Sequence, residues 1–256
     1  MKFQYPDYDI SVIKDGWPIN PKVLNGASTI VVYADGGPNH PLMKHLSEFD
    51  ELHKNGTALV CIHYAVEIPK GNPGNKMVDW TGGYFETDWS VNPHWTAKYK
   101  KLPDHIITRG VKPFQIHDEW YYNMRFREQM EGVQPILSAV PPKSTLSRPD
   151  GPHSGNPHVR AMTGQTQHVA WASENSKGVR GFGFTGGHFH WNWGNDSFRK
   201  LILNAIVWSA HGDVPTKGVL SKSLTVSDLE KNQDYEKSSG YNPNRIQKHL
   251  EQWNSH

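Results

Sequence analysis

Two short β-branched runs, STIVVYA at residues 28–34 and TALVCIH at 57–63, bracket a segment of helical periodicity. Both runs are apolar at alternate and intervening positions alike, as strands covered on both faces must be. Between them His40-Pro41 opens a stretch in which Leu42, Leu46, Phe49 and Leu52 fall on one helical face. Asn55-Gly56 closes it as a C-cap. This strand, loop, helix, strand order predicts a parallel α/β sheet. Further strands are expected at 133–140, 168–173 and 179–185, the last two as an antiparallel hairpin across a short polar turn. A helix is expected at 197–210, capped by Asn195 or Asp196.

The remaining segments carry weaker signals. Residues 1–6 are polar and aromatic, and residues 8–13 alternate like a strand. A short helix is expected at 75–81, short strands at 96–100 and 103–108, and a strand running into a loop over 113–126. Residues 141–167 are rich in Pro, Gly, Ser and His, and a connection this long in a compact domain has a role. The expected role is to fold over the strand ends and shield a cavity. After the last long helix the chain turns polar. A short helix capped by Thr225 is expected at 226–232, and the rest of 216–256 as a surface-hugging tail to a domain of residues 1–215.

Formal net charge is only +2 over 256 residues, so no field draws the chain to nucleic acid or an anionic membrane. No apolar run is long enough to span a bilayer. No basic-then-apolar leader opens the chain, although a leader already removed would leave no trace. Cytoplasm and periplasm are equally compatible with a soluble chain, and the oligomeric state, homo-oligomer or monomer, is open. The single Cys61 excludes an intrachain disulfide framework and a cysteine-based zinc cluster. The unusual feature is 15 His beside 10 Trp and 10 Tyr. Histidine titrates near neutrality and ligates metals, and the large rings suit stacking on sugars as well as core packing.

These residues concentrate in four places. GFGFTGGHFHWNWGND at 181–196 joins a strand to a helix through a glycine turn, where open α/β sheets place ligands. His188 and His190 are two apart, so both rings point to one side of an extended backbone, and Trp191 follows. His63 ends a central strand. Residues 82–95 resemble a binding loop, with Tyr84, Glu86, Trp89, His94 and Trp95. Asp118 and Glu119 are adjacent and face opposite ways in extended chain, Glu119 being favoured for a cavity and Asp118 for structure. Tyr121 and Arg125 complete the set. Plain alternatives stand beside each: histidines satisfied by hydrogen bonds, aromatics packed on the sheet, Arg125 in a structural salt bridge.

Four motifs carry a resemblance that spans roughly residues 8–215. They are LVCIHYA at 59–65, DWTGGY at 79–84, DEWYYN at 118–123, and the stretch 181–208. Together they resemble the ThuA-like (trehalose utilisation) family. The resemblance implies the flavodoxin-like, class I glutamine amidotransferase-like α/β fold, a parallel sheet with helices on both faces, here with an added antiparallel hairpin. Those amidotransferases carry a nucleophilic Cys at the strand-to-helix elbow, and His63 occupies that position here, with Cys61 two residues earlier inside the strand. Glutaminase chemistry is therefore not expected. Proteins of this type usually begin with an additional strand, normally mid-sheet, and a helix ahead of the segment matching residues 8–13. This sequence has only residues 1–7 there; the expectation is either a shortened start or a gap filled by another element or a partner subunit.

The functional expectation is a carbohydrate-active protein using acid/base or metal-assisted chemistry to isomerise or cleave a sugar or keto-sugar. His63, Glu119 and His188 are the candidate catalytic groups. Tyr84, Glu86, Trp89, His94, Trp95, Tyr121, Arg125 and Trp191 are the candidate substrate contacts. His63, His188 and His190 are the candidate ligands of a divalent, zinc-like metal, which needs three or four converging donors. The competing expectation is a non-catalytic sugar-binding or accessory protein on an enzyme-derived scaffold.

Overall fold

The computed structural model describes residues 4–231, 233 and 235–255. Residues 1–3 of the aromatic start, and Asn232 at the expected end of a short helix, lie outside the described residues. In chain order the elements are β1 (Thr29–Val32), α1 (Leu46–Lys54), β2 (Ala58–Ile62), α2 (Asn72–Thr81) and β3 (Gly83–Tyr84). Then come β4 (His94–Tyr99), β5 (Phe114–Glu119), β6 (Arg125–Phe126), β7 (Val133–Ala139) and α3 (Pro157–Ala161). The chain ends with β8 (Gln167–Glu174), β9 (Arg180–Phe184), α4 (Asp196–Ser209), α5 (Val226–Leu229) and α6 (Pro243–Asn254).

The main sheet runs β1-β2-β9-β8-β7. Strands β1, β2 and β9 are parallel, and β9, β8 and β7 form an antiparallel meander. Strand β2 is the centre of the protein, and its five residues are all buried. Val60 and Ile62 enter the core that Phe198, Leu201 and Ala205 of α4 complete. Leu59 and Cys61 enter the opposite core, with Phe49 of α1 and Met77 and Trp80 of α2. Alternation along one strand thus fills a layer on each side, which explains why its sequence shows no polar face. The result is a flavodoxin-like α/β fold with two added ribbons, β3–β6 and β4–β5.

Several expectations are corrected. Residues 8–13 form no strand; their alternation has no partner, and Tyr5 and Tyr8 instead pack on the α4-side core. Residues 103–108 end in a 3-10 turn, Ile106–Thr108, capped by the His105 side chain. The helix expected from His40 starts only at Leu46. Ahead of it the buried His40 ring accepts the N–H of Leu42 and lies 3.0 Å from the Ala65 carbonyl, holding a turn. Strand β2 is bonded to β1 on one side and β9 on the other.

The long connection after β7 contains α3 and lies against residues 87–92. The His153 N–H bonds to Thr87, its carbonyl receives Asn92, and Asn156 bonds to Trp89. The polar tail is more structured than expected. Helix α6 starts at Pro243 under an Asn242 cap and buries Ile246 and Leu250 against α5. No helix among the described residues is long and apolar enough to cross a membrane.

Candidate functional site

Strand β2 delivers His63 at its carboxyl end with φ = 57°, the left-handed region that a non-glycine residue rarely occupies. The conformation turns the ring toward the end of β9. There Nδ1 lies 2.9 Å from the Thr185 carbonyl. A carbonyl only accepts, so Nδ1 carries the proton and Nε2 presents a bare lone pair. Burial pulls the imidazole below its ordinary pKa, with the Thr185 bond opposing.

Strand β5 delivers the carboxylates. Asp118 is fully buried and accepts the backbone N–H groups of Gly187, His188 and Phe189 at 2.8, 3.0 and 3.3 Å. It also accepts from the Asn192 amide at 2.9 Å. It therefore fixes the glycine turn rather than facing the cavity. Glu119, one residue on, points the other way. Its Oε2 lies 3.2 Å from His188 Nδ1 and 3.5 Å from His63 Nε2, and its Oε1 lies 3.6 Å from His94 Nε2. Burial raises its carboxyl pKa, with the charge of His94 opposing. The Tyr121 hydroxyl stands 3.2 Å from His63 Nε2, and burial together with Glu119 raises its pKa. Burial thus favours the neutral forms of both His63 and Glu119.

Among the described residues, His63, Glu119 and His188 form a grouping whose donor atoms lie within 4.8 Å of one another. Tetrahedral zinc with bonds of about 2.0–2.2 Å sets its ligand atoms about 3.3 Å apart. The 3.2 and 3.5 Å contacts of Glu119 fit that spacing. The bare Nε2 of His63 also fits a ligand.

The other expected site residues are placed as follows. His190 stands apart, its Nε2 2.6 Å from the Leu229 carbonyl, because residues 190–194 form a 3-10 turn and not the extended chain that would align it with His188. Trp95 is a core residue, on the inner face of β4 with its indole N–H on the Trp120 carbonyl. Trp191 faces Tyr241 of the C-terminal segment, 5.7 Å between centroids. Tyr84, Glu86, Trp89 and Arg125 form one network. Arg125 grips Glu86 through two bonds of 2.9 and 3.0 Å, lies 3.5 Å over the Trp89 ring, and Tyr84 donates to Glu86 at 2.9 Å.

Two features were missed. The buried Glu67 carboxylate holds His153 of the long connection at 2.7 Å and Thr87 at 3.0 Å. The His153 ring stacks on Phe85, which meets Tyr121 edge-on. Phe189 packs 5.3 Å from His94 and 5.7 Å from His117. Neither pairing has a local sequence signal, since each joins residues far apart in the chain.

The parallel-centred α/β sheet, with helices on both faces, is consistent with the class I glutamine amidotransferase-like class of folds. More narrowly, the chain belongs to the ThuA family, described as trehalose utilisation, which matches residues 4–209. A crystal structure of a ThuA-like protein from Bacteroides uniformis ATCC 8492 is similar, with a TM-score of 0.52 and 18% identity. The similarity covers 73% of this chain and 70% of that one, and it bears on the fold alone. No curated protein matches the chain. Membership of the family implies a role in trehalose utilisation.

Proposed function

We propose that the chain carries out acid/base chemistry on a sugar or keto-sugar, isomerising or cleaving it, with His63, Glu119 and His188 as the reacting groups. The observation that carries this reading is the His63 tautomer. Its Nδ1 is committed to Thr185, and its Nε2 faces a half-buried Glu119 that also meets His188.

A carbon next to a carbonyl releases a proton only when a base is poised beside it and the resulting enolate oxygen is stabilised. His63 Nε2 serves as the base. Tyr121 and His188 are the donors to the oxygen. Glu119, neutral at rest beside His188, gives its own proton to the neighbouring carbon in an isomerisation. The proton taken by His63 then passes to the Glu119 carboxylate 3.5 Å away, and Tyr121 relays the hydroxyl proton from one substrate oxygen to the other. A divalent ion held by His63, Glu119 and His188 would polarise the carbonyl in place of this scheme, since groups that ligate it would no longer be free to act as base and acid. His94 sits half-exposed at the rim, where a sugar hydroxyl would meet it. The long connection, pinned by His153 on Glu67, shields this edge from water.

Cys61 supports the exclusion of glutaminase chemistry. It is buried within β2, and burial raises its thiol far above the range in which a thiolate forms. Incubating the protein with keto-sugars in deuterium oxide tests the proposal. Deuterium should appear at the carbon beside the carbonyl, and His63→Ala should abolish it. If no keto-sugar exchanges or turns over, with or without added divalent metal, the acid/base reading is wrong.

A further inference from the structure

Arg148 of the long connection reaches across to the start of β4, where its Nη1 donates to the Asn92 side-chain oxygen at 3.0 Å. The β4–β5 ribbon fixes what lies beside it. Val91 pairs with Tyr122 in the same register that pairs His94 with Glu119, so Asn92 stands opposite Tyr121. Val91, Trp95, Trp120 and Tyr122 turn into the α4-side core. Alternation therefore puts Asn92, His94, Glu119 and Tyr121 together on the other face. Two residues of strand separate Asn92 from His94, so the guanidinium is held about 7 Å along this face from the His94–Glu119 pair.

That cation is not spent on the fold. Among the described residues no carboxylate forms an ion pair with Arg148, and Asp150, two residues on, is taken by Arg160 at 2.6 Å. The bond to Asn92 uses one of five N–H donors, and the Asn92 amide, its oxygen occupied, adds donors beside the rest. An open guanidinium fork fits an oxyanion through two parallel bonds. The neighbouring acids do not oppose one. Asp118 is turned away onto the Gly187, His188 and Phe189 N–H groups, and Glu67 is paired with His153 at 2.7 Å. Burial favours neutral Glu119, and Arg148 is among the charges opposing that effect, which places the guanidinium within electrostatic reach of the site.

We infer that Arg148 is a specificity-determining residue of this site, and that the sugar taken there carries an oxyanion, a carboxylate or a phosphate, one sugar unit's length from the reacting carbon. The inference rests on the reading of His63, Glu119 and His188 as a sugar site. With the reacting carbon beside His63 and Tyr121, the far end of the sugar passes His94 and meets the free N–H groups of Arg148 and Asn92. A neutral sugar leaves the guanidinium to water, whereas an anionic one gains a charge-assisted pair.

The test is titration of the full chain with D-glucose, D-glucuronate, D-glucose 6-phosphate, acetate and inorganic phosphate, followed by the histidine ring resonances. At about pH 8 the ordinary imidazole is neutral and Arg148 keeps its charge. At least one anionic sugar should bind about tenfold or more tightly than glucose and shift His94, and which one does so tells carboxylate from phosphate. Arg148→Gln should erase the preference, and Arg148→Lys should keep part of it. Deuterium exchange reads the chemistry separately: an anionic preference without exchange supports this inference and counts against the acid/base reading alone. The inference is overturned if neither anionic sugar binds more tightly than glucose, or if folded Arg148→Gln keeps the preference. It is equally overturned if acetate or inorganic phosphate binds as tightly as the sugar bearing that group. Should Arg148→Gln fail to fold, Asn92→Asp, which sets a carboxylate on the guanidinium, must erase the preference in its place.

Discussion

Asp118 accepts the backbone N–H of His188 at 3.0 Å. Its neighbour Glu119 meets the imidazole of the same residue at 3.2 Å. One strand end thus fixes both the main chain and the side chain of the turn that faces His63. The pleat makes this possible, because adjacent residues of β5 point to opposite sides.

The first prediction follows. Asp118→Asn presents an amide N–H to backbone donors that need an acceptor. Leaving such buried donors unpaired costs about 1–3 kcal/mol each, so chemical denaturation should show a loss of about 2–3 kcal/mol. The turn should also loosen, lowering turnover through His188 rather than through direct contact with substrate. A variant of wild-type stability would show that the turn holds itself.

Buried His40 predicts a pH dependence of stability. Its Nδ1 accepts the Leu42 N–H and its Nε2 lies on the Ala65 carbonyl, so the ring is neutral. Burial pulls its pKa from 6.5 to about 4. The unfolded chain takes up the proton first as pH falls, so this stability is fully present above 6.5 and is lost toward 4. The loss amounts to about 3 kcal/mol over that window. Burial lowers His53 and His168 in the same direction, so the comparison must be with His40→Gln. The variant should show a shallower decline of urea-unfolding free energy between pH 6.5 and 4; equal slopes would remove His40 from the account.

Arg125→Lys keeps the charge and loses the fork that grips Glu86 at two points and lies flat on Trp89. Glu86 is nearly buried, so the lost bond is not replaced by bulk water. Stability should fall by about 1–2 kcal/mol. Thermal unfolding of the two chains checks it, and an unchanged midpoint would mean that Tyr84 and Lys70, whose ammonium lies 3.3 Å from Glu86, suffice to hold it.

Gly183 lies on β9 against the indole of Trp171, and an added Cβ would overlap that ring. Trp171 is fully buried and bonded to the Thr81 carbonyl at 2.8 Å, so it cannot swing aside. Gly183→Ala should cost about 1–3 kcal/mol as an overpacked core does, measured by urea unfolding. A neutral result would mean that the β8–β9 pair separates freely.

The parts of this architecture that sequence reveals are those with local causes. Apolar runs around Val60 show a doubly covered strand, and Asp118-Glu119 in extended chain shows opposite orientations. The approach of His63 to His188 followed from two strand ends at one edge of the sheet. Where the local rule lacked its premise, the reading failed. His190 was aligned with His188 on the assumption of extended chain, and the 3-10 turn rotates it toward Leu229. Trp95 was assigned to a loop, yet Trp95, Ala97 and Tyr99 alternate inward along β4. Residues 8–13 alternate without a partner strand. Helix α6 has a local signal of its own: Asn242-Pro243 is a cap and first turn, and Ile246, Leu250 and Trp253 follow on one face. The Glu67–His153 and Arg148–Asn92 bonds depend on chain segments meeting at long range, which no local pattern encodes.

The central claim is that His63, Glu119 and His188 act as one unit, and the kinetics of His63→Ala, Glu119→Gln, His188→Ala and their double combinations on a keto-sugar test it most directly. Each single change should lower kcat by about 10²–10⁴-fold, the usual worth of a positioned acid or base. The doubles should lose little more than the singles, because groups in one proton path fail together. The wild-type kcat/KM should fall off on the acid side below pH 6.5, since burial lowers the His63 pKa from that value. A His63→Ala enzyme turning over at the wild-type rate, or double variants whose losses simply multiply, would contradict the account.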